Sequence, residues 1–142
     1  MNKLFVLTDD DNDDAELFGE AIEMIEAPVD FYHAESCRGL LEYLEDEQNK
    51  KPDVIFLDIN MPEISGWQCL TDLKNNVKLK DIPVIMYTTS SSSMDKKIAF
   101  DSGALGFLTK PTDFKLLIRI LDSIAKEESI NLDSILKKLS SL

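Results

Sequence analysis

Val54-Ile55-Phe56-Leu57-Asp58-Ile59-Asn60-Met61-Pro62 is opened by Lys51-Pro52-Asp53, closed by a proline, and followed shortly by Gly66. An apolar run of this length between such stops reads as a strand buried on both faces, with Asp58 at its carboxyl end. Open α/β sheets hold their ligands at that edge. A carboxylate there is either a hydrogen-bonded cap on the following loop, a common duty of Asp in turns, or a reacting group. The rest of the chain decides between the two.

On the N-terminal side, Leu4-Phe5-Val6-Leu7 reads as a strand running into the acidic loop Thr8-Asp9-Asp10-Asp11-Asn12-Asp13-Asp14. A helical pattern follows with Leu17, Ala21, Ile22, Met24 and Ile25, capped by Asn12 or Asp13 and ended by Ala27-Pro28. Val29 to Ala34 is a second strand, and Leu40, Leu41, Tyr43 and Leu44 mark a helix that Ser36 caps. On the C-terminal side, Trp67, Leu70 and Leu73 form a helix stopped at Asn75-Asn76, and Pro83 to Tyr87 is a fourth strand leading into a hydroxyl-rich loop, Thr88 to Ser93. The serine run within it, Ser90 to Ser93, reads as a flexible loop. A helix from Met94 to Ser102, a strand from Ala104 to Thr109 and a helix from Asp113 to about Lys126 complete the pattern. Five β-α units mean an α/β fold, a doubly wound five-stranded parallel sheet with helices on both faces. Residues 1–126 form this domain. Residues 127–142 are a C-terminal extension in which Leu132, Ile135, Leu136 and Leu139 fall at helical spacing, a short sixth helix. Two roles are open for it: covering an apolar patch beside the fifth helix, or joining a symmetric homodimer or a partner groove.

The chain has 142 residues, enough for one core without metals or disulfides. Cys37 and Cys69 lie far apart with no metal-ligand spacing, and no signal peptide is evident, so both are expected to be reduced packing residues of a cytoplasmic protein. No apolar run approaches the roughly 20 residues of a membrane span. A net charge of −12 argues against nucleic acid, whose phosphates are bound by clustered Lys and Arg.

In a parallel sheet the carboxyl ends of all strands share one edge, so Asp9, Asp10, Asp58, Thr88 and Lys110 become neighbours. Packed carboxylates repel one another unless a cation neutralises them, and Mg²⁺ suits a site with few carboxylates and several retained waters. Asp58 then stays ionised as a nucleophile, while Lys110 and Thr88 present a charge and a hydroxyl to phosphoryl oxygens. Phosphoryl transfer needs mainly positioning and charge neutralisation.

Four stretches in order resemble the receiver domains of bacterial two-component response regulators, of the stand-alone type, over about residues 3 to 126. They are Thr8-Asp9-Asp10, Phe56 to Pro62 with Gly66, Pro83 to Thr88, and Gly103 to Pro111. The resemblance implies a flavodoxin-like sheet of order 2-1-3-4-5. It makes Asp58 the phosphoacceptor and Asp10 a direct Mg²⁺ ligand, with Asp9 nearby or acting through water and the backbone carbonyl of Asn60 completing the metal set. Thr88 and Lys110 match the phosphate-sensing hydroxyl and lysine, Phe107 the switch aromatic, and Lys110-Pro111 the place of a cis peptide. Thr8 and Thr89 depart from the family's usual apolar and small residues. Lys80 to Pro83 and Thr88 to Ser90 are also similar to single-domain receivers that partner phytochrome-type kinases.

Other readings are weaker. Asp9, Asp11, Asp13 and Glu20 match four EF-hand positions, but Asp14 stands where that loop needs Gly. Asp58-Ile59-Asn60 also resembles aspartyl-nucleophile phosphatases, yet Asn60 cannot serve as their acid-base group. His33, the only histidine, reads as a packing or surface residue, and Met61 and Met86 as fillers. The expectation is a phosphoprotein switch rather than an enzyme. A histidine kinase or histidine phosphotransfer protein phosphorylates Asp58 with Mg²⁺, and the signal leaves by contact with a downstream protein. The alternative is a scaffold of the same fold that binds partners without phosphorylation.

Overall fold

The apolar runs become strands and the mixed runs between them become helices, in strict alternation. The computed structural model describes residues 2–127. Its elements are β1 (Lys3–Thr8), α1 (Asn12–Met24), β2 (Val29–Ala34), α2 (Cys37–Glu45), β3 (Val54–Leu57), α3 (Gly66–Lys74), β4 (Val84–Thr88), α4 (Ser93–Asp101), β5 (Gly106–Thr109) and α5 (Phe114–Lys126). The strands form one parallel sheet in the order β2-β1-β3-β4-β5, as expected. The proposed helix in the extension lies outside the described residues.

Alternation along each strand divides the core into two layers. Leu4, Val6, Ile55, Leu57, Val84, Met86 and Phe107 pack against Cys37 and Leu40 of α2, Cys69, Leu70 and Leu73 of α3, and Ala99 of α4. Phe5, Leu7, Val54, Phe56, Ile85, Tyr87 and Leu108 pack against Ala15, Phe18, Ala21 and Ile22 of α1 and the apolar stripe of α5. The inner strands are apolar at almost every position because both faces are covered. β2, at the edge, is only partly buried.

Several local expectations are corrected. Asp11, not Asn12 or Asp13, caps α1, its Oδ1 accepting the N–H groups of Asp13 and Asp14 at 3.0 and 3.1 Å. Leu17 and Met24 face solvent, because Ala15, Phe18, Ala21 and Ile22 set the buried stripe. The helix begins at Asn12, so Asp9 to Glu20 cannot wrap an ion as an EF-hand loop. The serine run is hydrogen-bonded: Ser90 Oγ donates to Asp95 Oδ2 at 2.6 Å, and Ser92 caps α4. There is no cis peptide among the described residues, so Lys110-Pro111 is trans; for a bond preceding proline the two forms differ by only about 1 kcal/mol.

The cysteines are buried, as expected, but they are not reduced: Cys37 and Cys69 are joined as a disulfide, with Cα atoms 5.8 Å apart. Spacing in sequence hid this, because α2 and α3 become neighbours only through the parallel crossovers on one face of the sheet. Closing a loop across a separation of 32 residues restricts the unfolded chain by about 3–4 kcal/mol in the chain-entropy description.

Candidate phosphoryl-accepting site

All five strand-end groups singled out from the sequence reach one edge of the sheet. Asp9 and Asp10 follow β1, Asp58 follows β3, Thr88 ends β4 and Lys110 follows β5. Backbone bonds across strand ends lock them in place: Asp58 N–H donates to Thr8 O at 3.0 Å, Asp9 N–H to Ala34 O at 3.1 Å, and Lys110 N–H to Thr88 O at 2.6 Å. Asp9 and Thr88 are inaccessible to solvent, Asp58 is buried, and Asp10 is exposed. One carboxylate oxygen each from Asp9, Asp10 and Asp58 falls within a 4.8 Å cluster.

Lys110 reaches across this cluster. Its ammonium lies 2.8 Å from Asp9 Oδ2, 2.7 Å from Asp14 Oδ2 and 3.7 Å from Asp58 Oδ2. It also sits 5.7 Å from the centroid of the buried Tyr87 ring, a cation–π arrangement. Burial pulls the ammonium's pKa down, but the hydrogen bond to Asp14, the ion pair with Asp9 and the charge of Asp58 outweigh burial and hold it above its usual value. Asp14 and Tyr87 were not anticipated. The trace of Asp14 in the sequence is its place in the acidic first turn of α1, just beyond the loop that holds Asp9 and Asp10.

Asp9 Oδ1 accepts the Asp11 N–H at 3.0 Å, whereas the buried Oδ2 has the ion pair with Lys110 and no hydrogen bond of proper geometry. His33 Nε2 lies 2.7 Å from the Asp9 backbone oxygen, so the lone histidine props the acidic loop. Thr88 Oγ1 accepts a long bond from Ser90 N–H at 3.4 Å, and Thr109 Oγ1 donates to Ser90 O at 2.8 Å, tying the loop after β4 to β5. Phe107, paired with Met86 in the sheet, is wholly buried.

Burial pushes the Asp58 carboxyl up to about 6, and the neighbouring Asp9 charge adds to the rise; Lys110 and the N–H groups of Asn60 and Ile59 draw it only part of the way back. The folded-state value thus lies above the ordinary value of 3.8. The stability that follows is fully present below the unfolded pKa and is lost as pH rises through about 6, a loss of up to about 3 kcal/mol. Carboxyl ¹³C NMR in the absence of divalent ions should place the Asp58 midpoint near pH 6, and Mg²⁺ should lower it. A metal-free midpoint at the ordinary carboxylate value would overturn this account.

An oxygen-only donor set of three carboxylates, one with a buried oxygen lacking a proper hydrogen bond, fits a hard divalent cation. Asp10→Ala should weaken Mg²⁺ binding by about tenfold or more while changing stability by less than about 0.5 kcal/mol, because its side chain is exposed. Titration of Trp67 fluorescence, from the single tryptophan next to Gly66, measures the affinity. An unchanged affinity would remove Asp10 from the site.

A five-stranded parallel α/β domain here carries three carboxylates, a hydroxyl and a lysine on its carboxyl edge, a set able to hold a hard cation and to bind phosphoryl oxygens. The family model for the response regulator receiver domain matches residues 5–122, and the chain belongs to that family. It is similar to protein PilH of Pseudomonas aeruginosa, 35% identical over 77 residues, which cover 54% of this chain and 64% of PilH. Among solved structures, the Mn²⁺-bound form of response regulator Rcp1 superposes with a TM-score of 0.77 at 25% identity, covering 89% of this chain and 97% of that one. The phosphorylated cyanobacterial phytochrome response regulator RcpA gives 0.78 at 27% identity, covering 87% and 91%. The chain spans from 25% to 80% of the length of curated relatives that it matches. Receivers are in general signalling switches that bind Mg²⁺ or Mn²⁺ at an acidic pocket, and this chain gathers Asp9, Asp10 and Asp58 into one acidic cluster.

Proposed function

We propose that this protein is a phosphorylation-dependent switch in which Asp58 accepts a phosphoryl group from a sensor histidine kinase or a histidine phosphotransfer protein. The observation that carries this reading is the Asp58 carboxyl, buried beside Asp9 and Asp10 with the Lys110 ammonium 3.7 Å away. An Asp58 carboxylate oxygen attacks phosphorus, the bond from phosphorus to the donor breaks, and the donor leaves with that electron pair. Asp9, Asp10, Asp58 and the Asn60 carbonyl would hold Mg²⁺. When bound, the ion neutralises the clustered carboxylates and the incoming phosphoryl charge.

Lys110 is engaged by Asp9 and Asp14 before transfer, and the doubly negative acyl phosphate competes for it. Thr88 turns its hydroxyl from Ser90 N–H toward the phosphoryl oxygens. Because Lys110, Thr88 and Ser90 are linked through backbone and Thr109, that competition reaches the start of α4 and the buried Phe107 beside Met86. A local charge change thereby biases a bistable element, and the readout leaves by protein contact.

The acidity of the chain supports a protein target over nucleic acid, and no described helix is long and apolar enough to cross a membrane. We place the protein in the cytoplasm, with residues 1–126 as the receiver and 127–142 as an extension whose two roles stand as above. Likeness to RcpA supports a phytochrome-type kinase as donor. Incubation with Mg²⁺ and a small acyl-phosphate donor, followed by intact-mass measurement, is the test. A Mg²⁺-dependent gain of one phosphoryl mass is expected. No gain under any divalent ion would sink the switch and leave a phosphorylation-independent scaffold.

A further inference from the structure

The Cys37–Cys69 disulfide joins the first residue of α2 to the body of α3, and short runs of backbone connect both ends to the acidic site. On the α2 side, Ala34 lies three residues before Cys37. Its carbonyl accepts the Asp9 N–H at 3.1 Å, and the adjacent His33 ring nitrogen is 2.7 Å from the Asp9 carbonyl oxygen. On the α3 side, Cys69 is one turn beyond Gly66, whose N–H donates to Ile59 O at 2.8 Å. Gly66 packs so tightly on Asp58 that a Cβ there would lie 2.0 Å from the Asp58 backbone oxygen. The disulfide therefore closes a ring that also contains Asp9 and Asp58, which the site needs at a fixed separation. Cys37, Cys69, Ala34, Ile59 and Met61 share one packed cluster, so the tie is rigid along its length.

We propose that Cys37 and Cys69 are a reversible thiol–disulfide pair that sets the divalent-cation affinity of the acidic site, the bonded form binding more tightly. This rests on reading Asp9, Asp10 and Asp58 as the cation site. Three carboxylates repel one another, and holding them together before the ion arrives removes part of the cost of binding. With the bond open, the start of α2 is freed, and the Ala34 and His33 supports of Asp9 lie at its base, while Leu41, Tyr43 and Leu44 keep the rest of the helix on the core.

Glutathione disulfide is the co-reactant, by thiol–disulfide exchange. Both sulfurs are buried, so exchange follows local opening at the start of α2, where Cys37, its thiolate favoured by the helix terminus, attacks one glutathione sulfur and expels a glutathione thiolate. The Cys69 thiolate then attacks the Cys37 sulfur of the mixed disulfide and expels the second. Two protein thiols are oxidised, and one glutathione disulfide is reduced to two thiols.

The test measures Mg²⁺ affinity for the oxidised protein, the dithiothreitol-reduced protein and the Cys37→Ala/Cys69→Ala variant. It is paired with alkylation and mass measurement of the oxidised fraction in glutathione buffers with and without Mg²⁺. The oxidised form should bind at least about fivefold tighter, the variant should match the reduced form, and Mg²⁺ should favour the disulfide by the same factor, as linkage requires. Equal affinities in all three proteins would overturn the proposal. So would a pair that does not exchange in glutathione, or a reduced protein that has lost its near-ultraviolet circular dichroism, which would make the bond a structural brace. Absence of Mg²⁺ binding in every form would instead remove the reading of the acidic site, and this inference with it.

Discussion

Asp58→Asn is expected to gain no phosphoryl mass under conditions that label the wild type completely. The replacement has nearly the same shape, so the loss isolates chemistry: an amide lacks the anionic oxygen that attacks phosphorus and gives the ion a weaker ligand. Misfolding is separated from this by the sign of the stability change. The wild-type carboxylate is ionised at a buried position beside Asp9, and the burial that raises its pKa to about 6 destabilises the protein above that pH. Asp58→Asn removes that cost and leaves Lys110 paired with Asp9 and Asp14. Above pH 7 without metal it should be more stable than wild type, by up to about 3 kcal/mol in urea denaturation. A variant that still gains phosphoryl mass would remove Asp58 as acceptor; one that is both unlabelled and unstable would point to a structural role.

Gly66→Ala carries the largest expected cost in stability. Its added Cβ would meet the Asp58 carbonyl oxygen at 2.0 Å, Ile59 Cα at 2.7 Å and the Asp58 carbonyl carbon at 2.8 Å. All three obstacles are backbone atoms, so no rotamer change relieves the clash; the first turn of α3 must move off the loop after β3. That movement breaks the Gly66 N–H bond to Ile59 O and lifts the buried Cys69 and Leu70 from their layer. A loss of about 3–4 kcal/mol or outright failure to fold is expected. Denaturant midpoints at constant slope measure it, and a change below about 1 kcal/mol would show that the contact yields easily.

The five strands, their parallel arrangement and the gathering of Asp9, Asp10, Asp58, Thr88 and Lys110 on one edge were legible in the chain itself. Buried parallel strands are apolar at nearly every position, so Leu4 to Leu7, Val54 to Leu57 and Val84 to Tyr87 stand out against the mixed runs between them. A strand end is a position along the chain, and parallel topology turns that position into a place in space. The cap of α2 at Ser36 was legible for a related reason: it depends on atoms three residues apart.

Contacts between distant elements were decided only by the folded structure. Lys110 finds Asp14 across 96 residues, and whether α1 turns Asp14 or Asp13 toward it depends on a helical phase set by Phe18 and Ile22 in the core. The same phase sends Leu17 and Met24 to solvent although they are as apolar as their buried neighbours. The pairing of Cys37 with Cys69 likewise requires the separation of two helices on one sheet face to within about an ångström, and the contact of Gly66 with Asp58 the path of the loop between β3 and α3. Short-range chemistry and apolar periodicity belong to the sequence alone, since each arises within a few residues. Side-chain neighbours across elements come from close packing of the whole domain, where every contact depends on all the others.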